Sequence, residues 1–398
     1  MHHSILLLIL LAAFAATALA GRLIDRTPLT LPMIFAALGL LLATPINDLA
    51  QPHQLSAATR LLAEITLIVV LFADASHIRF SRFRHMWQKP ARMLIIGLPL
   101  TVGLGTLVAY LVAPGAGIAM AVLTAAVLTP TDAALAQSVV ENDDLPVALR
   151  QTIVVESGLN DGLVLPFVLL GALLVSSTSG HEGTDGLAIQ SLWQVVLAPV
   201  IGGVVGAGMA RLSDAAQTRG FARKAAGGIV FLSTAFGAYL LSETLGGNGF
   251  IAAFVAGMTF GNLFADDMGF VADFMDDIGI LLTMSAFVIF GAVLLPQAFD
   301  HVTAPVFLLA VLFLTIVRIV PIYLSLLGSD THPRERLFLG WAGPRGLASI
   351  LFTLIITDEF DLPGEAELLA CVSMTVGLSI LFHGVTAHPL ARWAAVSR

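Results

Sequence analysis

The sequence has few charged residues and only one cysteine. Asp, Glu, Lys and Arg make up 12% of its 398 residues, about half of the roughly 25% that is usual in soluble domains. Hydrophobic residues make up 57% of the chain, and the mean hydropathy is +0.92. These values exclude a soluble globular fold and predict a polytopic membrane protein. Because Cys371 stands alone, an intrachain disulfide is also excluded.

Long apolar runs, separated by short polar breaks, fill most of the chain. They lie at approximately residues 4–20, 28–44, 55–73, 91–113, 116–140, 150–176, 191–210, 225–242, 249–265, 278–296, 303–327, 336–357 and 366–390. Each run is near the roughly 20 residues that a helix needs to cross a bilayer. The runs are continuous rather than alternating, so strands are disfavoured. The sequence therefore predicts an all-α membrane protein with about 13 transmembrane helices.

The basic residues predict an N-terminus outside and a cytoplasmic C-terminus, because Lys and Arg are enriched in cytoplasmic loops. The expected location is the cell inner (plasma) membrane. With this orientation, 16 of the 19 Lys and Arg residues fall in inside loops: Arg22, Arg26, Arg79, Arg82, Arg84, Lys89, Arg92, Arg150, Arg211, Arg219, Arg223, Lys224, Arg334, Arg336, Arg392 and Arg398. The other three, Arg60, Arg318 and Arg345, lie within predicted spans. A cleaved signal peptide is disfavoured, because cleavage after Ala20 would invert this orientation.

Two prolines are predicted to break helices beside ionisable residues. Pro130 precedes Asp132 in LTPTDAA, and Pro344 precedes Arg345 in WAGPRGLAS. Proline removes a backbone donor and frees carbonyls, which a membrane tolerates only inside protein or beside a wet cavity. Freed carbonyls are good ligands for a small hard cation. The breaks lie in predicted spans five and twelve, which run in opposite directions, as in inverted repeats with a binding site at the midplane.

The segment ESGLND (156–161) places two carboxylates and an amide inside an apolar span. Ser157 and Asp161 share one helix face, and Glu156 and Asn160 share a neighbouring face rotated by about 100°. Ionisable groups at this depth usually mark an ion or proton path. Arg345 is the predicted partner of Glu156, because a buried pair is far less unfavourable than two isolated charges. Asp161 is therefore predicted to be the working carboxylate.

Three other ionisable residues of the spans are interpreted from their surroundings. Asp132 is suited both to capping the second half-helix and to binding a cation, and the two roles are compatible. Arg318 receives no role, because an arginine in a span often pairs with a helix end or extends to the interface. Glu64 is expected near the outer surface rather than in the ion site.

The motifs TPTDAA, ESGLNDG and GPRGLAS, in this order and spacing, resemble those of bacterial NhaP-type sodium/proton antiporters of the monovalent cation:proton antiporter-1 family. LFADASHI, at the end of the third span, resembles the acidic segment of that family. The resemblance covers about thirteen spans. It implies a secondary active antiporter in the lipid bilayer, with no cofactor, no nucleic-acid partner and no long cytoplasmic regulatory tail.

The resemblance also implies an architecture and a site. The implied homodimer has an interface bundle, 1–80 and 191–296, and an ion-translocating core, 90–176 and 303–390, in which broken helices cross. The implied cation site contains Asp161, Ser157, Asp132 and the Thr131 carbonyl, with Asp74 approaching from the interface bundle, Asn160 and Pro130 in supporting positions and Glu156–Arg345 as a structural ion pair.

The resemblance implies exchange of a monovalent cation, with Na⁺ expected, against H⁺, and together with the charge count it favours one cation for one proton. Desolvation in an apolar helix favours a protonated Asp161, so a proton and a cation would compete for it during alternating access. Asn160 takes up no proton, which indicates an electroneutral cycle. K⁺ and Li⁺ stay open because they prefer the same hard oxygen ligands. An intramembrane aspartyl protease with Asp132 and Asp161 as its dyad and an anion or organic-solute carrier are the distant alternatives.

Overall fold

The computed structural model describes residues 2–24, 27–47, 52–78, 87–132, 135–136, 140, 145–178, 184–221, 227–264, 269–360 and 362–395, all of whose regular structure is helical. The first half contains α1 (His2–Ile24), α2 (Leu31–Leu41), α3 (Pro52–Ser76), α4 (Gln88–Val112), α5 (Gly117–Val127), α6 (Val147–Thr178) and α7 (Thr184–Thr218). The second half contains α8 (Gly227–Thr244), α9 (Gly249–Leu263), α10 (269–301), α11 (Ala304–Ser325), α12 (Pro333–Trp341), α13 (Leu347–Glu359) and α14 (Glu365–Ala395).

The predicted apolar runs coincide with these helices. In the part of the chain that the structure describes, six helices have the length and apolar composition to cross a membrane, and shorter apolar helices accompany them. The total of thirteen crossings remains a prediction. Several basic residues used for the predicted orientation lie outside the described residues, namely Arg26, Arg79, Arg82, Arg84, Arg223, Lys224 and Arg398.

Local sequence sets where several helices begin. The hydroxyl of Thr30 accepts the Met33 N–H at the start of α2, and the Asn248 side chain accepts the Ile251 N–H at the start of α9. Such caps satisfy backbone donors that have no partner in the first turn. Gly117, which begins α5, has a φ of 80°, a conformation that favours glycine.

Glycines allow α3 and α9 to approach closely. A Cβ atom on Gly257 or Gly261 of α9 would overlap the backbone of Phe72 or Ser76 of α3. Small residues at such contacts let helices pack closely in membranes. On its other side α3 meets α6, where a Cβ on Gly158 would lie 3.6 Å from the Asp74 Cβ. This packing brings Asp74 beside the segment that contains Asp161.

The chain leaves the helical conformation at both predicted breaks. α5 ends at Val127, and residues 128–132 are not helical; residues 342–346 separate α12 from α13. The backbone N–H of Asp132 donates to the Pro344 carbonyl at 2.9 Å, so the two breaks meet. The two predicted breaks are confirmed, and a direct backbone hydrogen bond joins them.

Candidate functional site

Asp132 caps the helical segments that follow both breaks. Its Oδ1 accepts the Leu135 N–H at 3.1 Å, and its Oδ2 accepts the Leu347 N–H at 2.7 Å. A carboxylate is favourable at this position, because the first N–H groups of a helix lack partners and carry partial positive charge. A Cβ on Gly346 would overlap the Asp132 carboxyl group. Glycine at this position is therefore a requirement of the shared cap.

Arg345 fills the space between the two breaks. The side chain is fully buried, and its Nη1 donates to the carbonyls of Thr129 and Pro130, the latter at 3.1 Å. Its backbone N–H donates to the Ser379 hydroxyl of α14 at 2.7 Å. The Arg345 guanidinium, which belongs to the second break, thus binds the carbonyls that the first break frees. Nε and Nη2 of Arg345 make no hydrogen bond within the described residues.

The prediction that Arg345 is the partner of Glu156 is wrong. Glu156 forms a bidentate ion pair with Arg318 of α11, at 2.8 and 2.9 Å, and both residues are buried. A forked guanidinium matches both carboxylate oxygens, whereas Arg345 uses its Nη1 on carbonyls. Gly343 makes room for the pair, because a Cβ there would overlap the Arg318 guanidinium. Arg318, which received no role from the sequence, is the partner.

A polar network joins the ESGLND segment to the first break. The Asn160 amide nitrogen lies 3.1 Å from the Thr131 hydroxyl and 3.3 Å from the Thr129 carbonyl. Thr131 in turn lies 3.3 Å from the Ser157 hydroxyl and 3.4 Å from Glu156. All of these groups are buried, so the network aligns α6 with the break. The contact between Thr131 and Ser157 is made by their hydroxyls, and the role predicted for the Thr131 carbonyl stays a prediction.

Asp161 lies at the wall of a cavity of about 390 Å³ that Asp74 and Asp132 also line. The cavity extends past His77 at the end of α3, Ile153 in α6 and other apolar side chains. Asp161 is only 8% exposed, and its Oδ1 makes no hydrogen bond within the described part of the chain. A buried carboxylate oxygen without a partner is unfavourable unless a proton or a cation binds it.

Glu64 and the residues that the sequence interpretation missed complete the comparison with the predicted site. Glu64 is separate from the site and accepts the Tyr239 hydroxyl at 2.7 Å, which agrees with its exclusion from the ion ligands. The sequence interpretation missed Arg318, Gly343, Gly346, Ser379 and His383. The available signals were an arginine inside an apolar run and the two glycines that flank Pro344–Arg345.

The comparisons with known proteins cover nearly the whole chain. A family model described as "Sodium/hydrogen exchanger, transmembrane" matches residues 9–393. The chain is 26% identical over 320 residues to a probable Na⁺/H⁺ antiporter of Schizosaccharomyces pombe, with 76% of this chain and 42% of that protein covered. It is 25% identical to the K⁺/H⁺ antiporter NhaP of Alkalimonas amylolytica, with 84% of this chain and 57% of the relative covered. The chain thus spans about half the length of these two relatives.

A solved structure shares the fold. The sodium proton antiporter MjNhaP1 from Methanocaldococcus jannaschii superimposes with a TM-score of 0.76 and 19% sequence identity. The match covers 99% of this chain and 100% of that chain. The likeness extends over the entire polytopic helical architecture, including the part of the chain that contains both breaks.

Proposed function

Because the chain belongs to the sodium/hydrogen exchanger family, we propose that it is a secondary antiporter that exchanges a monovalent cation for H⁺. The observation that carries this proposal is the buried Asp161 Oδ1, which has no hydrogen-bond partner within the described residues and belongs to a side chain that lines a cavity. A carboxylate at such a position binds either a proton or a hard cation. The cavity gives both ions an aqueous route to the same oxygen.

Asp161 is the proposed transport carboxylate, with Ser157, Asp132 and Thr131 as neighbouring cation ligands. The contact between the Thr131 and Ser157 hydroxyls supports this grouping, as does the shared cavity lining of Asp132 and Asp161. Asp132 already accepts two backbone N–H groups, so its principal contribution is a fixed negative charge. Asp74 approaches the cavity from α3 and attracts cations towards it.

Competition at Asp161 couples the two flows. A protonated Asp161 has no charge with which to hold a cation, and a bound cation excludes the proton. Asn160 does not titrate, and both carboxylate oxygens of Glu156 are bound by the Arg318 guanidinium. One carboxylate therefore exchanges one cation for one proton, and the cycle moves no net charge.

Alternating access follows from motion of a core, 90–176 and 303–390, against a bundle, 1–80 and 191–296. Both breaks and their ligands lie in the core, and α3 contributes Asp74 from the bundle. The proposed assembly is a homodimer in the plasma membrane with a cytoplasmic C-terminus. The cavity side that contains His77 and Ile153 would then face the cytoplasm.

Na⁺ is the proposed cation, and K⁺ is the second candidate. The oxygen ligands suit both ions, and the relatives named above include a K⁺/H⁺ antiporter. The protease reading is disfavoured, because a dyad needs carboxylates that share a proton, and both oxygens of Asp132 are used by backbone donors.

Exchange in proteoliposomes tests the proposal. Purified chain is reconstituted with a pH-sensitive dye inside, and external NaCl, KCl or LiCl is added against a preset pH gradient. We expect a cation-dependent change in internal pH, with NaCl the most effective salt. Dye signals identical to those of protein-free liposomes for all three salts would contradict the proposed function.

A further inference from the structure

A serine contacts each break from the next long helix of the chain. Ser157 of α6 lies 3.3 Å from Thr131, which follows Pro130. Ser379 of α14 accepts the backbone N–H of Arg345, which follows Pro344, at 2.7 Å. The residue after the breaking proline therefore meets a serine hydroxyl in both halves of the molecule.

The second serine also has a titratable residue at the same spacing as the first. Asp161 follows Ser157 by four residues, and His383 follows Ser379 by four. Residues at this spacing share a helix face. His383 therefore occupies, in the second half of the chain, the place that Asp161 occupies in the first. The sequence pattern and the serine contacts agree on this correspondence.

His383 is enclosed by the second break and its own helix. It is 5% exposed, and its Nδ1 lies 3.2 Å from the Ser379 hydroxyl. Its ring stacks on Trp341, the last residue of α12, with the centroids 4.7 Å apart. The break begins directly after Trp341, so His383 contacts one side of the break by stacking and the other through Ser379.

We propose that His383 is a positioning residue for the cation site. It orients the Ser379 hydroxyl, which holds the backbone of Arg345. Arg345 then holds the carbonyls of Thr129 and Pro130 at the first break. This inference rests on the proposed function, because its measurable consequence is the affinity for the transported cation.

The positioning role requires one tautomer of His383. The Ser379 oxygen accepts the Arg345 N–H, so its own proton needs an acceptor. An imidazole with its proton on Nε2 offers Nδ1 as that acceptor. The other tautomer would donate from Nδ1 to the Ser379 carbonyl, 3.1 Å away, and would leave the hydroxyl unoriented. The Nε2–H tautomer is therefore the one that positions Arg345.

Loss of this contact affects affinity more than turnover. A freed Ser379 hydroxyl lets the Arg345 backbone shift, and the carbonyls at 129 and 130 shift with its guanidinium. Asp161 lies on α6 and still titrates, so the maximal rate is preserved. The apparent KM for the cation rises about fivefold, the equivalent of about 1 kcal/mol for a neutral hydrogen bond.

Matched variants separate the hydrogen bond from packing. His383→Phe keeps a ring against Trp341 and removes the acceptor, whereas His383→Asn retains an acceptor near the position of Nδ1 and loses the ring. Ser379→Ala removes the relay itself, which is the hydroxyl that links His383 to the Arg345 backbone. Ser373→Ala is the control, because Ser373 is equally buried on α14 and its hydroxyl makes no hydrogen bond within the described residues.

Initial exchange rates in proteoliposomes over a range of NaCl concentrations give KM and maximal rate for each variant. We expect a raised KM with an unchanged maximal rate for His383→Phe and Ser379→Ala, and near-wild-type values for His383→Asn and Ser373→Ala. The double variant His383→Phe/Ser379→Ala should be no worse than Ser379→Ala alone, because both changes remove one relay.

Other results overturn the inference. A wild-type KM in His383→Phe does so, as does an equal loss of maximal rate and melting temperature in His383→Phe and His383→Asn, which indicates packing alone. If His383→Phe does not fold, an unchanged KM in Ser379→Ala overturns it instead. A wild-type chain without exchange contradicts the proposed function as well, whereas wild-type exchange with unaffected variants contradicts only the role of His383.

Discussion

The two helix breaks are alike in their backbone but carry side chains of opposite charge. Each contains a proline, and each is contacted by a serine of a following long helix. The first break has hydroxyls and the Asp132 carboxylate and adjoins the cavity at Asp161. The second break has Arg345, whose guanidinium is buried against the carbonyls of the first.

This difference explains why a nearly symmetric arrangement would hold a single cation. Negative groups at both breaks would repel each other in a medium of low dielectric constant. In the proposed antiporter, the positive charge of Arg345 compensates the carboxylates instead, and the Asp161 side is the place for a mobile ion. In this proposal, charge rather than backbone geometry distinguishes the transporting half, which contains Asp161, from the supporting half, which contains Arg345.

The largest effect is expected at the carboxylate of the transporting half. Asp161→Asn should reduce exchange in proteoliposomes to the background of protein-free liposomes, because an amide neither titrates nor attracts a cation. The melting temperature in detergent should stay close to that of wild type. Asp330→Asn is the matched control, since the Asp330 side chain is exposed and lies 3.7 Å from the Lys89 ammonium. Exchange near the wild-type rate in Asp161→Asn would remove Asp161 from the mechanism.

The supporting ion pair should affect stability more than ion binding. Glu156→Gln or Arg318→Gln should each lower the free energy of unfolding by about 3–5 kcal/mol, because the remaining charge is buried without its partner. Thermal unfolding in detergent measures the effect. The double variant should lose less than the sum of the two single variants.

A second double-mutant cycle, with Arg345→Gln, identifies the partner of Glu156. The effects of Glu156→Gln and Arg345→Gln on the free energy of unfolding should be closer to additive than those of Glu156→Gln and Arg318→Gln. A stable but inactive Glu156→Gln variant would instead move Glu156 into the ion site.

Gly346→Ala tests the contact between the two breaks. The added Cβ would overlap the Asp132 carboxyl group, so we expect a loss of about 1–3 kcal/mol of stability from overpacking, together with slower exchange. Gly103→Ala on α4 is the control, because a Cβ there meets no atom within 4 Å. Equal melting temperatures for the two variants would show that the shared cap tolerates displacement.

The smallest effect is expected from membrane voltage. With one titrating carboxylate in the transporting half, initial exchange rates should be the same with and without a potassium diffusion potential set by valinomycin. NaCl is the transported salt in this measurement. A rate that rises steeply with the imposed potential would require a second proton carrier and would contradict the one-for-one cycle.

The sequence predicted the elements whose signals are local. Apolar runs identify the helices, and Pro130 and Pro344 identify the breaks, because proline acts on its own turn. The i,i+4 relation of Ser157 and Asp161 follows from helix geometry alone. The resemblance implied that Ser157 and the Thr131 carbonyl belong to one site, whereas the contact between the two hydroxyls depends on how α6 packs against the first break.

The partner of Glu156 depended on packing that no local pattern contains. Arg318 and Arg345 are both arginines in apolar runs, and spacing does not choose between them. The choice follows from Gly343, which admits the Arg318 guanidinium, and from the freed carbonyls of residues 129 and 130, which engage Arg345. His383 was missed for the same reason, because its neighbour Trp341 lies on a different helix.

The shared cap at Asp132 has a mechanical consequence. Separating the two half-helices would break two bonds together, from the Asp132 N–H to the Pro344 carbonyl and from the Leu347 N–H to the Asp132 carboxylate. Such bonds are strong where water is excluded. The contact between the two breaks therefore resists displacement of one break relative to the other. We therefore expect deformation during transport to lie outside this contact and the two breaks to move together.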